Sequence, residues 1–404
     1  MTEMRSQPGL LGQISAAHLV SHLHIMTVPA LLPLLPDILN VNFIDLGIAL
    51  GVFNIISALC QAPLGYAVDR YGARCVLIAG LALGSASFAL VAAIPSFTVL
   101  LVAMAMAGLA NGVYHPANYA LLSQGMAPNR MGRAFSIHTF AGFFGGAIAP
   151  PIMVSTALAS DIRWAFAVAA VSGFLVLAAI VSRSFAPLAS LPEPSDSRID
   201  VKHVRSTYAA TSAIIMLTVL FMMLSLSTGT IERFSVAALV EGFGVPLSTA
   251  NMALTTFLFA SAFGVLTGGI LADRTKRHGS VAVAAFALAA VLVATIALVK
   301  LPDTLLVLTM GGIGFLTGIV APSRDMLVRA ISPIGQEGRT FGIVSTGFNI
   351  GGVIGPILCG ALLDRGLASA VLWASAGFMI ITASVVTLQE YLAKARKDAH
   401  PITR

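Results

Sequence analysis

Twelve stretches of this 404-residue chain are apolar and long enough to cross a lipid bilayer, and mostly short turns separate them. A spanning helix needs roughly 20 apolar residues. The candidate spans are about 12–36, 44–66, 75–94, 98–123, 134–157, 163–183, 209–237, 247–271, 279–299, 304–329, 339–363 and 367–390. Only 10% of the residues are charged, whereas a soluble domain carries roughly 25%. So few charges cannot cover a water-exposed surface, so the solvent is lipid and the expected fold is an all-α membrane protein.

One connection is long. Residues 184–208, SFAPLASLPEPSDSRIDVKHVRSTY, are rich in Pro, Ser and charge and read as a solvated linker. The expected organisation is therefore a six-helix bundle over 1–183, a cytoplasmic linker over 184–208 and a second six-helix bundle over 209–404. The first residues, MTEMRSQPGLLGQ, lack the basic, apolar and cleavage regions of a removed signal peptide.

Basic residues mark the cytoplasmic side of a membrane protein. With both termini on that side, the tails and even-numbered loops hold 18 of the 23 Lys and Arg. Only Arg163, Lys300 and Arg365 fall on the outer side, while Arg233 and Arg324 lie within spans. This bias accounts for the net charge of +6 without a nucleic-acid partner. The expected location is a cell inner membrane, crossed many times, with a monomeric chain whose partners are lipid, protons and a small solute.

The halves repeat each other. At a shift of 206 residues Gly112 falls on Gly318, Pro116 on Pro322, GRAF (132–135) on GRTF (338–341) and GGAIAP (145–150) on GGVIGP (351–356). A charged turn, GYAVDRYGAR at 65–74, returns 204 residues later within GILADRTKRHG at 269–279. The small residues of the GGAIAP and GGVIGP strings permit close helix approach, and Pro bends the backbone. Asp69 and Asp273 are expected just after a helix end, with Arg70, Arg74, Arg274 and Arg277 bridging to neighbouring helix ends. Cations near helix C-termini are favoured by the macrodipole. Gly65 and Gly72 allow packing and turning.

GYAVDRYGAR resembles the signature loop between spans 2 and 3 of the major facilitator superfamily, and GILADRTKRHG resembles its degenerate second copy. The resemblance covers essentially the whole chain. It implies two pseudo-symmetric bundles, alternating access, and a central cavity lined by spans 1, 4, 7 and 10. It also implies that Gly65, Asp69, Arg70, Gly72, Arg74, Asp273 and Arg274 form a cytoplasmic latch for the outward-facing state. The strings HLVSHLH and GVYHPAN are similar to the fosmidomycin-resistance-like branch of exporters.

Ionisable groups inside a span cost about 2.5–3.5 kcal/mol on insertion scales and mark function by default. Polar residues on one helical face recur at i, i+3, i+4 and i+7. Span 4 carries Asn111, Tyr114, His115 and Asn118 on such a stripe, span 1 carries Ser15, His18 and His22, and span 7 carries Ser225, Thr228 and Glu232 with Arg233 beside them. Span 10 places Arg324 and Asp325 after Pro322. A guanidinium stays charged and grips carboxylate, phosphate or sulfonate bidentately. His18, His22, Asn111, Tyr114, His115, Asn118 and Arg324 are therefore the expected substrate ligands. Glu232, Arg233 and Asp325 are the candidates for proton coupling or gating. A lone histidine is as readily a bond across a helix interface, the reading given to His24, while His138 stays open between the two. Asn54, Ser57 and Gln61 on span 2, and Ser345 and Asn349 on span 11, read either as site walls or as packing contacts.

No Walker A, HExxH or GxSxG string occurs, which argues against ATP hydrolysis and familiar catalytic centres. Cys60, Cys75 and Cys359 form no CxxC, so neither a metal site nor a cofactor is expected. Cationic residues in the cavity favour a small organic anion, carried by secondary, proton-coupled transport. The alternative is proton-driven efflux of a drug or antibiotic.

Overall fold

A computed structural model describes residues 8–126, 131–182, 207–275, 278–331 and 337–399. Among them lie thirteen helices, of which twelve are long and apolar enough to span a bilayer. The first half contributes α1 (Pro8–Leu31), a short α2 (Leu35–Leu39), α3 (Phe43–Tyr71), α4 (Ala73–Ala93), α5 (Phe97–Gly125), α6 (Met131–Ala159) and α7 (Ile162–Ser182). The second contributes α8 (Thr207–Phe243), α9 (Leu247–Arg274), α10 (His278–Leu298), α11 (Asp303–Ile331), α12 (Glu337–Asp364) and α13 (Ala368–Ala399). The expected linker lies almost wholly outside the described residues.

Two expected boundaries move. The first span ends at Leu31, and the chain turns before the proline-started α2. Asp69 and Asp273 do not follow a helix end: α3 runs to Tyr71 and α9 to Arg274, so both lie in a last helical turn. A helix gains nothing by stopping where its apolar window stops. It continues into the polar interface, where Arg70 in the last turn of α3 is favoured by the helix dipole.

Small residues hold the bundles together, because lipid tails compete with any apolar helix surface and association depends on close packing. Gly264 and Gly268 of α9 lie against the Phe315 and Ile319 carbonyls of α11, and Gly314 and Gly318 of α11 lie against those of Phe257 and Ser261 on α9. This is a reciprocal pair of GxxxG contacts. The first half repeats it in part, with Gly108 of α5 against the Phe53 carbonyl of α3. The duplicated glycine strings act alike: Gly145 of α6 packs on the Leu19 backbone of α1, and its counterpart Gly351 of α12 packs on Met222 and Ser225 of α8.

The prolines that end those strings face the other bundle. The Pro356 carbonyl lies against Gly47 of α3, and the Pro150 carbonyl accepts from Asn251 of α9 at 3.4 Å. Pro150 and Pro356 are related by the 206-residue shift, and Gly47 and Asn251 by the 204-residue shift, so the two halves meet through pseudo-symmetric contacts. Gly360 also packs on the Phe43 carbonyl, and the Asp364 carboxylate accepts from the backbone N–H of Phe43 and Ile44 at 2.8 Å each. These contacts close the bundles together from mid-helix to the end opposite the α3–α4 turn.

Candidate functional site

Between the bundles lies a cavity of about 280 Å³. From α8 it receives Ser225, Thr228, Glu232 and Arg233; from α11, Thr317 and Arg324; from α12, Phe348 and Asn349. Ser261 of α9, Asn54 of α3 and Phe143 of α6 complete the polar and aromatic parts of the wall. The α8 residues reach one wall because their spacing puts them on one face over two turns.

Arg324 is held by aromatic faces. Its guanidinium carbon sits 5.0 Å from the Phe221 ring centroid and 5.1 Å from that of Phe348. Those rings are 4.7 Å apart and tilted by 53°. Such cation–π contacts fix a guanidinium without consuming its N–H donors. The site therefore combines a positioned cation, a Glu232–Arg233 pair on the next helix, and neutral hydroxyl and amide groups. That composition suits a small anion with additional polar atoms.

The histidines and amides expected as ligands on the first half fall elsewhere. None of His18, His22, Asn111, Tyr114, His115 or Asn118 is among the described residues of the cavity wall. Asn111 donates to the Ser57 hydroxyl at 2.8 Å, joining α5 to α3. Tyr114 is buried, with its hydroxyl 3.5 Å from the Gly80 carbonyl. Asn118 is fully buried. His24 binds the Ala169 carbonyl at 2.8 Å and packs on Phe88, as a bond between helices should. His18, His22 and His115 come together instead with His138, whose ring stacks on His18 at 3.9 Å.

At the charged turns, Gly72 closes α3 and opens α4 with φ of +86°, a backbone state natural to glycine. Arg74 donates to the Ile180 carbonyl at 2.8 Å, tying α4 to the C-terminal end of α7. Arg70 is exposed and lies 5.5 Å from the Tyr71 ring centroid. Gly65 has open space beside it. The side chains of Asp69, Asp273, Arg274 and Asp325 lie outside the described residues.

Spacing did not reveal Phe221, Phe348, Thr317 or Ser261. Aromatic and hydroxyl residues are common in apolar helices, so none of these stands out by residue type.

The sequence matches the Major Facilitator Superfamily profile over residues 14–236 and 215–401. It is 26% identical over 279 residues to the fosmidomycin resistance protein of Escherichia coli (strain K12), covering 68% of each chain. It is 24% identical over 365 residues to probable anion transporter 6 of Oryza sativa subsp. japonica, covering 82% of this chain and 83% of that one. Its fold is similar to that of a bacterial homolog of the human lysosomal transporter Spinster, solved in an inward-facing and occupied conformation. The TM-score is 0.78 at 14% identity, over 96% of this chain and 98% of that one.

Proposed function

This chain belongs to the Major Facilitator Superfamily, and on that premise we propose that it is a proton-coupled secondary transporter of a small organic anion. It is a multi-pass membrane protein, placed here in a bacterial inner membrane with both termini in the cytoplasm. The two bundles rock about the shared cavity to expose it to either side in turn. The observation that carries the anionic reading is Arg324, a permanent cation held between Phe221 and Phe348 on the cavity wall. Glu232 and Arg233 line the same space, and in this reading Glu232 offsets part of its positive charge when the solute is absent and the two act as a gate. The similarity to a probable anion transporter agrees with the substrate class. With the DR turns cytoplasmic, the end closed by the α3–α12 contacts is the outer one.

A second reading, proton-driven efflux of an anionic antibiotic, is favoured by the similarity to a fosmidomycin resistance protein. It uses the same site with the opposite direction of net flow.

The test is a thermal-stabilisation screen of purified protein against small carboxylates, phosphonates and sulfonates, repeated on Arg324→Ala. One anion class should raise the melting temperature of the wild type and leave the variant unmoved. Equal stabilisation of both would remove Arg324 from the site.

A further inference from the structure

We propose that His18, His22, His115 and His138 form a single proton-binding site, separate from the solute cavity, that takes up one proton as a unit. Its place in the transport cycle rests on the proton-coupled reading above; the site itself does not.

The hydrogen bonding fixes which ring nitrogen of His18 is bare. His18 Nδ1 lies 2.7 Å from the His138 backbone carbonyl. A carbonyl only accepts, so Nδ1 carries the hydrogen, and a neutral His18 presents Nε2 as a bare lone pair. That Nε2 is buried and has no protein partner. Both ring nitrogens of His138 are likewise buried without a partner, and one of them must be bare in a neutral imidazole. Buried polar atoms are nearly always satisfied. Two bare imidazole nitrogens in one cluster are therefore an exception, and each is a basic position that a proton can occupy.

Packing makes the four rings one site. His138 stacks on His18 at 3.9 Å with an interplanar angle of 11°. His22 and His115 meet His18 edge-on, at 4.6 Å and 5.6 Å. Tyr119 lies 6.0 Å from both His115 and His138. A second proton would put two positive charges within these distances in an apolar bundle, so the first excludes the next. Gly142 makes the arrangement possible, because a Cβ there would press on the His18 ring at 2.6 Å and on His22 at 3.0 Å.

Among the described residues, no charged side chain offsets a proton here. The electrostatic partners of His18 are His22, His138 and His115. On α1 itself His24 is already bonded to Ala169 of α7, on α4 Arg74 is bonded to Ile180, and on α8 Glu232 and Arg233 line the solute cavity.

Charging the site has a route to the cavity. Phe143, on the wall, lies 6.4 Å from His22. The next residue, Phe144, meets Phe259 of the other bundle at 5.7 Å. Helix α6 thus carries the proton site, the cavity wall and a bundle-to-bundle contact.

The test uses full-length protein in lipid nanodiscs with ¹³C-labelled imidazoles, titrated by NMR. The probe is the proton alone. The four resonances should move together through one midpoint, with their protonation summing to about one proton. His18→Asn keeps the donor to the His138 carbonyl but removes Nε2. His138→Phe keeps the stacked ring but removes both nitrogens. Each should split the shared transition and shift the remaining histidines by about one pH unit. Four independent transitions in the wild type, or none across the range in which the protein stays folded, overturn the proposal even if a variant fails to fold. A shared transition without pH-driven transport would sink the transport reading and leave this site standing.

Discussion

Asp364, the last residue of α12, accepts a hydrogen bond from the backbone N–H of Phe43, the first residue of α3, at 2.8 Å. Its second oxygen takes the N–H of Ile44 at 2.8 Å, while Asn42 and Asp45 complete a capping box on the same helix end. The first N–H groups of a helix have no partner within it. Here one bundle supplies the cap for a helix of the other. Opening this end must hand those donors to water.

Asp364→Ala should therefore favour opening at this end. A hydrogen bond to a charged group contributes about 1.5–3 kcal/mol, but exposure to water discounts the pair, so a shift of roughly tenfold in the open-to-closed ratio is expected. Spin labels at Ile38 and Leu367, both exposed near this end, would report it as a growing long-distance population. An unchanged distance distribution would show that the cap does not bias the equilibrium.

Two glycines should respond differently to a single methyl group. Gly47 meets Pro356 across the bundles, whereas Gly318 meets Ser261 within one bundle. Overpacking costs about 1–3 kcal/mol. Gly47→Ala should shift the same label distances towards opening with little change in melting temperature. Gly318→Ala should lower the melting temperature and leave the distances unchanged. Matching effects from both variants would contradict a division between bundle packing and gate packing.

Arg324→Lys retains charge but loses the planar fork that lies against Phe221 and Phe348. Anion affinity should fall by about tenfold, as for the loss of roughly 1.4 kcal/mol, and Phe348→Leu should produce a smaller loss. Isothermal titration with the best anion from the screen measures both. Full retention by Arg324→Lys would mean that charge alone suffices.

The proton site and the gate separate by substitution. If the histidines carry the proton as proposed, Glu232→Gln should weaken transport yet leave it responsive to an imposed pH gradient. His138→Phe should keep solute exchange at equal pH on both sides and lose the gradient response. The reverse pattern, read from uptake rates with and without the gradient, would return the coupling role to Glu232.

Much of this fold was legible because the bilayer leaves few options: twelve apolar windows of spanning length give the helices directly. Their ends were less legible, since hydropathy does not register the turns that carry Asp69 and Asp273 beyond the apolar region. Arg324, Glu232 and the α8 stripe stood out as polar groups in an apolar setting. Asn54 and Asn111 show the limit. Each sits on a polar stripe, yet Asn54 lines the cavity and Asn111 bonds to Ser57. Periodicity identifies a helix face, not the neighbour that covers it. For the same reason the three histidines on α1 and α5 could be grouped, while His138, brought in by α6, could not. At the 206-residue shift Arg324 falls on Asn118, so a shared scaffold carries a cation in one half and a buried amide in the other.

The central claim is that a solute anion held at Arg324 crosses the membrane at the expense of a proton gradient. Uptake of the best-stabilising labelled anion into proteoliposomes, with and without a pH difference, tests it most directly. The account predicts accumulation that follows the gradient in the wild type and falls to the level of empty liposomes in Arg324→Ala. Uptake indifferent to the gradient, or undiminished in Arg324→Ala, would contradict it.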